Sequence, residues 1–247
     1  MGDGCLWVAQ WEFSCCDSVG IRFSELDNQV DLKLDTYASL EAQAAGIADD
    51  IAYNNHDLHD GLRAELFSTD ELAELPLLHD CFAEVDRKYP DLNYYRRRHE
   101  ALRRFFGILV EDVICVSRRT LAELDPRSVA EVRHAGRMMI QFTPALWEDL
   151  KVIRGFLFKR MYRAPVVIEM RKHVTGVIND LFPLFMQNPE ELPKQWRKDV
   201  AEAQAEAALA RIVADYISGM TDRFAIQEHA RLTGSDIVER TRVTSIL

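Results

Sequence analysis

Apolar residues recur three and four positions apart along most of this chain, and that recurrence predicts one helix after another. The start and stop signals fall where helix boundaries are needed. Thr36 to Ser39 offers capping hydroxyls for a helix carrying Asp49 to Asp57, with Glu41 suited to its positive end and Gly61 a weak point within it. Ser68-Thr69-Asp70-Glu71 and Ser128-Val129-Ala130-Glu131 each read as a capping box. Pro90 separates two helices, Leu92 to Leu124 alternates apolar and charged residues at helical period, and Pro126 closes that run. Pro144 suits a first helical turn. Leu146 to Met161, Val166 to Met186 and Asp199 to Ser218 predict three further helices, with breaks near Pro165, at Pro183 and through Asn188 to Pro193. Gly219 ends the penultimate helix and Thr221 caps the last. The expected fold class is all-α. Residues 1–25, with Trp7, Trp11, Phe13 and three cysteines, lack a helical period, so an irregular N-terminal segment is expected before a helical body over 26–247.

Composition narrows the class. A chain of 247 residues suits one large domain or two small ones, burying roughly 70 to 75% of the surface that the unfolded chain exposes. Its longest apolar run, Phe105 to Val116, is interrupted by Glu111 and Asp112, and Met1-Gly2-Asp3 is acidic, so neither a spanning helix nor a secretory leader is expected. The cytoplasm is the expected compartment, with no membrane partner. Five cysteines without a Cys-x-x-Cys pair point to free thiols rather than a disulfide framework or a zinc knuckle. A net charge of −10 argues against general affinity for nucleic acid, so any phosphate site must be local. Tyr94-Tyr95-Arg96-Arg97-Arg98 with Arg103-Arg104 is the densest basic cluster, readable as a solvated helix face or as a site for nucleic acid or a nucleotide.

The candidate chemistry sits in Ile47-Ala48-Asp49-Asp50-Ile51-Ala52-Tyr53-Asn54-Asn55-His56-Asp57. Asp49, Tyr53 and Asp57 are each four residues apart, so on a helix they stack along one side, drifting about 40° per step, and can line one polar-ligand pocket. A solvated acidic face is the competing reading. His56 with Asp60, or His59 with Asp60 and Arg63, sets potential donors for weak metal binding on one helix face, but ordinary polar residues of a helix surface, or partners for Asp49, are the favoured reading of that spacing.

From about Asp31 to Leu232 the chain resembles the HD-type deoxynucleoside triphosphate triphosphohydrolases, the bacterial dGTPase-like proteins. The resemblance rests on Ser39-Leu40-Glu41-Ala42-Gln43 leading into Ala48 to Asp57, on Asp60-Gly61-Leu62-Arg63-Ala64 and Val110-Glu111-Asp112-Val113, and on Phe156-Leu157-Phe158 with Met161-Tyr162-Arg163 and Asp215 to Ala225. It implies an HD-domain-like helical fold represented by its C-terminal part, with the N-terminal part of the family domain missing. The implied reaction is a metal-assisted split of a dNTP into deoxynucleoside and triphosphate, with Mn²⁺ or Mg²⁺ as the divalent metal. By this resemblance Asp49 stands at the last of four metal-ligand positions. The other three, a His and a His-Asp pair, have no counterpart, because residues 1–55 contain no histidine.

The same resemblance sets Tyr53 beside the sugar and Asp57 on the 3′-hydroxyl, and puts Arg160, Tyr162 and Arg163 near the phosphates. Ala164-Pro165 departs from the family's His-containing continuation. The implied partners are a dNTP and either further copies of the chain or a complementing N-terminal half, and the chain alone is expected to be inactive. A non-catalytic helical regulatory subunit, or a nucleotide- or nucleic-acid-binding module, remains the alternative.

Overall fold

A computed structural model describes residues 30–31, 33 and 35–234, and every regular element among them is helical. The irregular segment expected over residues 1–25, together with Cys5, Cys15 and Cys16, lies outside the described residues. The helices are α1 (Leu40–Arg63), α2 (Thr69–Leu72), α3 (Leu78–Lys88), α4 (Tyr94–Leu124), α5 (Val129–Arg133) and α6 (Pro144–Leu157). A π-helical turn, Phe158–Tyr162, follows. Next come α7 (Pro165–Gln187), two short 3₁₀ turns, α8 (Arg197–Glu202), α9 (Glu206–Ser218) and α10 (Asp222–Thr233). None of the helices is long and apolar enough to cross a membrane among the described residues.

The described residues divide into two compact units, one ending at Phe158 and the other beginning at Lys159. In the first, α4 packs against both α1 and α3, and α6 reaches α1. Leu58, Leu72, Leu78, Phe82, Leu102, Phe105, Leu109, Leu150 and Ile153 fill its core and are essentially inaccessible to water. Their spacing supplies the apolar stripe that makes each helix bury one side. In the second unit α9 and α10 pack on α7, around Val177, Leu181, Phe185, Leu192, Val213 and Tyr216.

Capping chemistry sets most helix starts. The Ser68 hydroxyl accepts from the Glu71 N–H at 3.2 Å while the Glu71 carboxylate accepts from the Ser68 N–H at 2.9 Å, a complete box. At α5 the box is displaced. Ser128 accepts from the Glu131 N–H at 3.2 Å, but the Glu131 carboxylate reaches the Arg127 N–H, one residue earlier, at 2.8 Å. Gly61 has a packing role: a Cβ there would lie 2.2 Å from the Phe67 ring, which itself meets Phe156 edge-on at 5.1 Å.

Three expectations about the C-terminal helices need correction. Pro183 does not break its helix, because α7 continues through it to Gln187. Pro183 is on the solvent side, whereas Leu181 and Phe185 are fully buried, so packing on either side outweighs the lost backbone hydrogen bond. The predicted helix Asp199 to Ser218 is instead two helices, interrupted at Ala203, Gln204 and Ala205. A straight helix would turn Val200 roughly 140° away from Val213, yet both pack in the same core. The interruption allows this despite a sequence rich in helix formers. Finally, the run Leu146 to Met161 leaves α-geometry at Phe158, where the π-helical turn begins.

Candidate functional site

Helix α1 carries the candidate site, and two polar clamps from distant parts of the chain fix it. Gln43 is 2% exposed, and its side-chain oxygen accepts from the Met139 and Ile140 N–H groups at 2.8 and 3.2 Å. Its amide nitrogen donates to the Ala38 carbonyl at 2.8 Å, so this buried amide has partners for both ends. One turn from the other end of the acidic stretch, Arg154 of α6 lies with its guanidinium over the Trp147 ring, 4.8 Å from the ring centre. Arg154 Nε donates to Asn54 Oδ1 at 3.2 Å, and Nη2 stands 3.3 Å from Asp50 Oδ1. Asn54, 3% exposed, also donates to the Asp50 carbonyl at 2.6 Å. A guanidinium held by a ring on one side and two polar groups on another is a stiff strut. The start of α6 is tied to α4 in turn: the Asp112 carboxylate accepts from the Thr143 N–H at 2.7 Å and from its hydroxyl at 3.0 Å.

On α1 so held, the three residues four apart differ in environment. Asp49 is exposed, Tyr53 is 46% exposed and Asp57 is 8% exposed. The helical drift accounts for the series, since each step of four rotates the stripe by about 40° from solvent toward the core. The stripe is therefore a ramp, open at Asp49 and closed at Asp57, rather than the wall of a single enclosed pocket. Beside it, Ile47 and Ile51 face α4 across an open apolar groove of about 410 Å³ that also takes in Val113, Ile114 and Leu121.

The histidines after Asp49 form no metal cradle. His59 stacks on His99 of α4 with ring centres 5.0 Å apart. Burial pushes its pKa below the usual 6.5, with His99, Arg98 and His56 adding to the effect and Asp60 opposing it. The imidazole is thus favoured neutral in the fold, and its protonation works against folding as pH drops below about 6.5. Among the described residues no group of three or more His, Cys, Asp or Glu side chains is arranged to hold a metal ion. The residues present, Asp49 included, do not by themselves fit a divalent-metal site.

The basic cluster on α4 is largely neutralised. Arg97 makes a two-pronged pair with Asp86 at 2.6 and 2.7 Å, and Arg103 pairs with Glu100 at 2.8 Å. Arg104 pairs with Glu100 and lies 3.4 Å from Glu84, while Arg98 is buried beneath the Tyr94 and Tyr95 rings. Arg96 is exposed and borders one concave surface with Arg103, so the pairing accounts for part of the cluster.

Arg160 and Tyr162 lie in the π-helical turn and Arg163 just after it, all in the second unit, with Arg160 and Arg163 exposed and Tyr162 half-buried. Of the three, Arg163 joins Arg171 and Lys172 around a concave surface on α7. Sequence reasoning missed Gln43 and Arg154 as site residues. For Arg154 a signal was present, a cation flanked by the buried Leu150, Ile153 and Leu157, but its partner Asn54 is 100 residues away.

Residues 140–231 match the model of a phosphohydrolase-associated domain. Over 202 residues, 82% of this chain, the sequence is 68% identical to a deoxyguanosinetriphosphate triphosphohydrolase-like protein of Roseobacter denitrificans, covering 52% of that protein. It is 61% identical over 211 residues to the protein of the same description from Cereibacter sphaeroides, covering 85% of this chain and 56% of the relative. To that of Parvibaculum lavamentivorans it is 45% identical over 202 residues, 82% and 51% of the two chains. The chain thus spans about half the length of the curated relatives it matches. With identities of 45 to 68% over these stretches, the chain is a relative of the deoxyguanosinetriphosphate triphosphohydrolase-like proteins, matched over about half of their length.

Proposed function

We propose that this chain supplies the deoxyribose-recognising part of a cytoplasmic dNTP triphosphohydrolase, with dGTP the first substrate to test. The observation that carries this is the clamped ramp of α1, with Tyr53 half-exposed and the Asp57 carboxylate nearly buried four residues on. A ring and a carboxylate in that order suit a deoxyribose, the ring against the sugar face and the carboxylate accepting from the 3′-hydroxyl. Arg160, Tyr162 and Arg163 are the phosphate-side candidates, since guanidinium groups pair well with phosphate oxygens. The reaction divides the bond between the 5′-oxygen and the α-phosphorus. Water's oxygen ends on the triphosphate and a proton returns to the deoxynucleoside. The resemblance calls for Mn²⁺ or Mg²⁺ there, and Asp49 alone matches a ligand position in this chain. No hydrolytic step is therefore assigned to these residues by themselves, and hydrolysis requires further copies or a complementing half to complete the metal site.

Binding of dGTP and of its 2′,3′-dideoxy analogue, measured for the wild type and Asp57→Asn, tests the sugar assignment. A hydrogen bond to a buried charge contributes on the order of tenfold or more. The wild type should prefer dGTP by that factor, and Asp57→Asn should bind both ligands equally weakly. Equal wild-type affinity for the two would remove the assignment. A second reading, a non-catalytic subunit regulating a complete relative, draws on the open apolar groove along Ile47 and Ile51. It predicts no triphosphate release by the chain alone but altered release by that relative when the two are mixed.

A further inference from the structure

The two helices that border the open groove of the first unit run antiparallel. His59 of α1 meets His99 of α4, and the earlier residues Ala44 to Ile51 of α1 face the later residues Phe106 to Leu121 of α4. The groove is apolar along most of its length. Ile47 and Ile51 form one wall and Val110, Val113 and Ile114 the other, with Phe106 toward one end. Phe106 and Ile114 are exposed, so both offer apolar surface that no other described residue covers.

Two consecutive residues of α4 break this pattern. Ser117 is 6% exposed, and its Oγ is buried in the lining of the groove without a hydrogen-bond partner among the described residues. A helical serine has a ready partner in the carbonyl four residues back, so this unsatisfied oxygen is not explained by packing within the chain. Arg118 stands exposed next to it. Unlike Arg97, Arg103 and Arg104 of the same helix, it is paired with no carboxylate among the described residues. A hydroxyl and a guanidinium thus sit together in an otherwise apolar trough, which suits an amphiphile with an anionic head and an unbranched tail. The guanidinium takes the charge, and the hydroxyl donates to a second oxygen of the head. From Ser117 back to Phe106, α4 rises about 16 Å. One lipid acyl chain spans half of a bilayer's hydrocarbon core, about 15 Å, so tail and trough agree in length. The groove's volume, about 410 Å³, is that of a small-molecule site.

We propose that this groove binds a free long-chain fatty acid, with the carboxylate on Arg118 and Ser117 and the tail running between α1 and α4 toward Ile51 and Phe106. The site shares no residue with the sugar assignment or with the phosphate-side candidates and depends on neither. Its ligand is neither a nucleotide nor a phosphate, and it requires no metal.

The test is calorimetric titration of the full-length chain with sodium laurate, kept below its micelle-forming concentration. Laurate should bind. Octanoate, with the same head and a shorter tail, should bind about tenfold more weakly or worse, and so should lauryl alcohol, with the same tail and no charge. Arg118→Glu should weaken laurate by about tenfold or more, as expected for a lost charge-assisted contact. Ala48 lines the groove and is exposed, so Ala48→Phe fills the trough without adding charge. That variant should keep the helical circular dichroism spectrum and lose laurate. No binding by the folded wild type overturns the proposal. Full binding in Ala48→Phe also overturns it, because the fatty acid then sits elsewhere. Equal affinity for laurate and lauryl alcohol, unchanged in Arg118→Glu, overturns it as well, since that result describes adsorption to an apolar surface rather than a built site. Self-association in sedimentation that laurate does not disperse and Ala48→Phe abolishes gives the groove to a second copy of the chain and counts against the fatty acid. An Asp57→Asn result leaves these outcomes untouched and speaks only to the sugar assignment.

Discussion

Cys81 and Cys115 show how much a single side chain's surroundings decide. Cys81 is buried in the first unit, and burial, with Glu84 and Asp80 adding and Arg104 opposing, pushes its pKa up to about 11. Cys115 is exposed. A thiol reacts as its thiolate, so the two should differ in rate by far more than exposure alone would give. Brief iodoacetamide treatment of the native chain at pH 8, followed by peptide mapping, should label Cys115 and leave Cys81 unmodified until urea is added. Comparable labelling of both in the native state would show that the region around Cys81 opens readily. At this scale the sequence was partly legible. Free thiols were expected from their number and spacing, but which of them is sealed depends on contacts that no spacing records.

Among the elements, α1 is defined less by its own sequence than by what holds it. Its start is local and readable, a Ser39 cap with Glu41 beside it. Its placement is not, because the Gln43 clamp closes on Met139 and Ile140, nearly a hundred residues further along. Removing that amide leaves two backbone N–H groups and one carbonyl without this partner, in a place where water does not readily replace it. Gln43→Ala should therefore cost about 2 to 4 kcal/mol. Its urea midpoint should fall with little change in the slope. An unmoved midpoint would mean that the clamp is incidental. The same contrast separates the helix boundaries that were legible from those that were not. Ser68, Thr143 with Pro144, and Thr221 mark helix starts by chemistry within four residues. The continuation through Pro183 and the interruption at Ala203 to Ala205 answer to burial of Phe185, Val200 and Val213, which a local pattern does not contain.

For the whole molecule, the all-helical class followed from period and composition, and the candidate residues on α1 from their identities. The division into two compact units did not, since the charge and apolar patterns run on through Phe158 without a linker-like composition. Each unit has its own buried cluster, which has a measurable consequence. Phe185 is fully buried in the second unit, and Phe185→Ala should cost that unit about 3 to 5 kcal/mol. Hydrogen exchange should then speed up across 165–233 while amides of 40–157 keep their protection. Uniform acceleration over both would show that the units unfold as one.

The π-helical turn at Phe158–Tyr162 gives the chain a length reserve. Such a turn holds one residue more than the α-helical turn it replaces, so the backbone there carries slack of a single amino acid. A deletion that would derail any other long helix of this protein can be absorbed at this point, with the turn tightening to ordinary α-geometry. What such a deletion would discard is aim. Arg160 would swing by about 100° around the axis, so one codon lost from this turn would redirect a cation while sparing the fold.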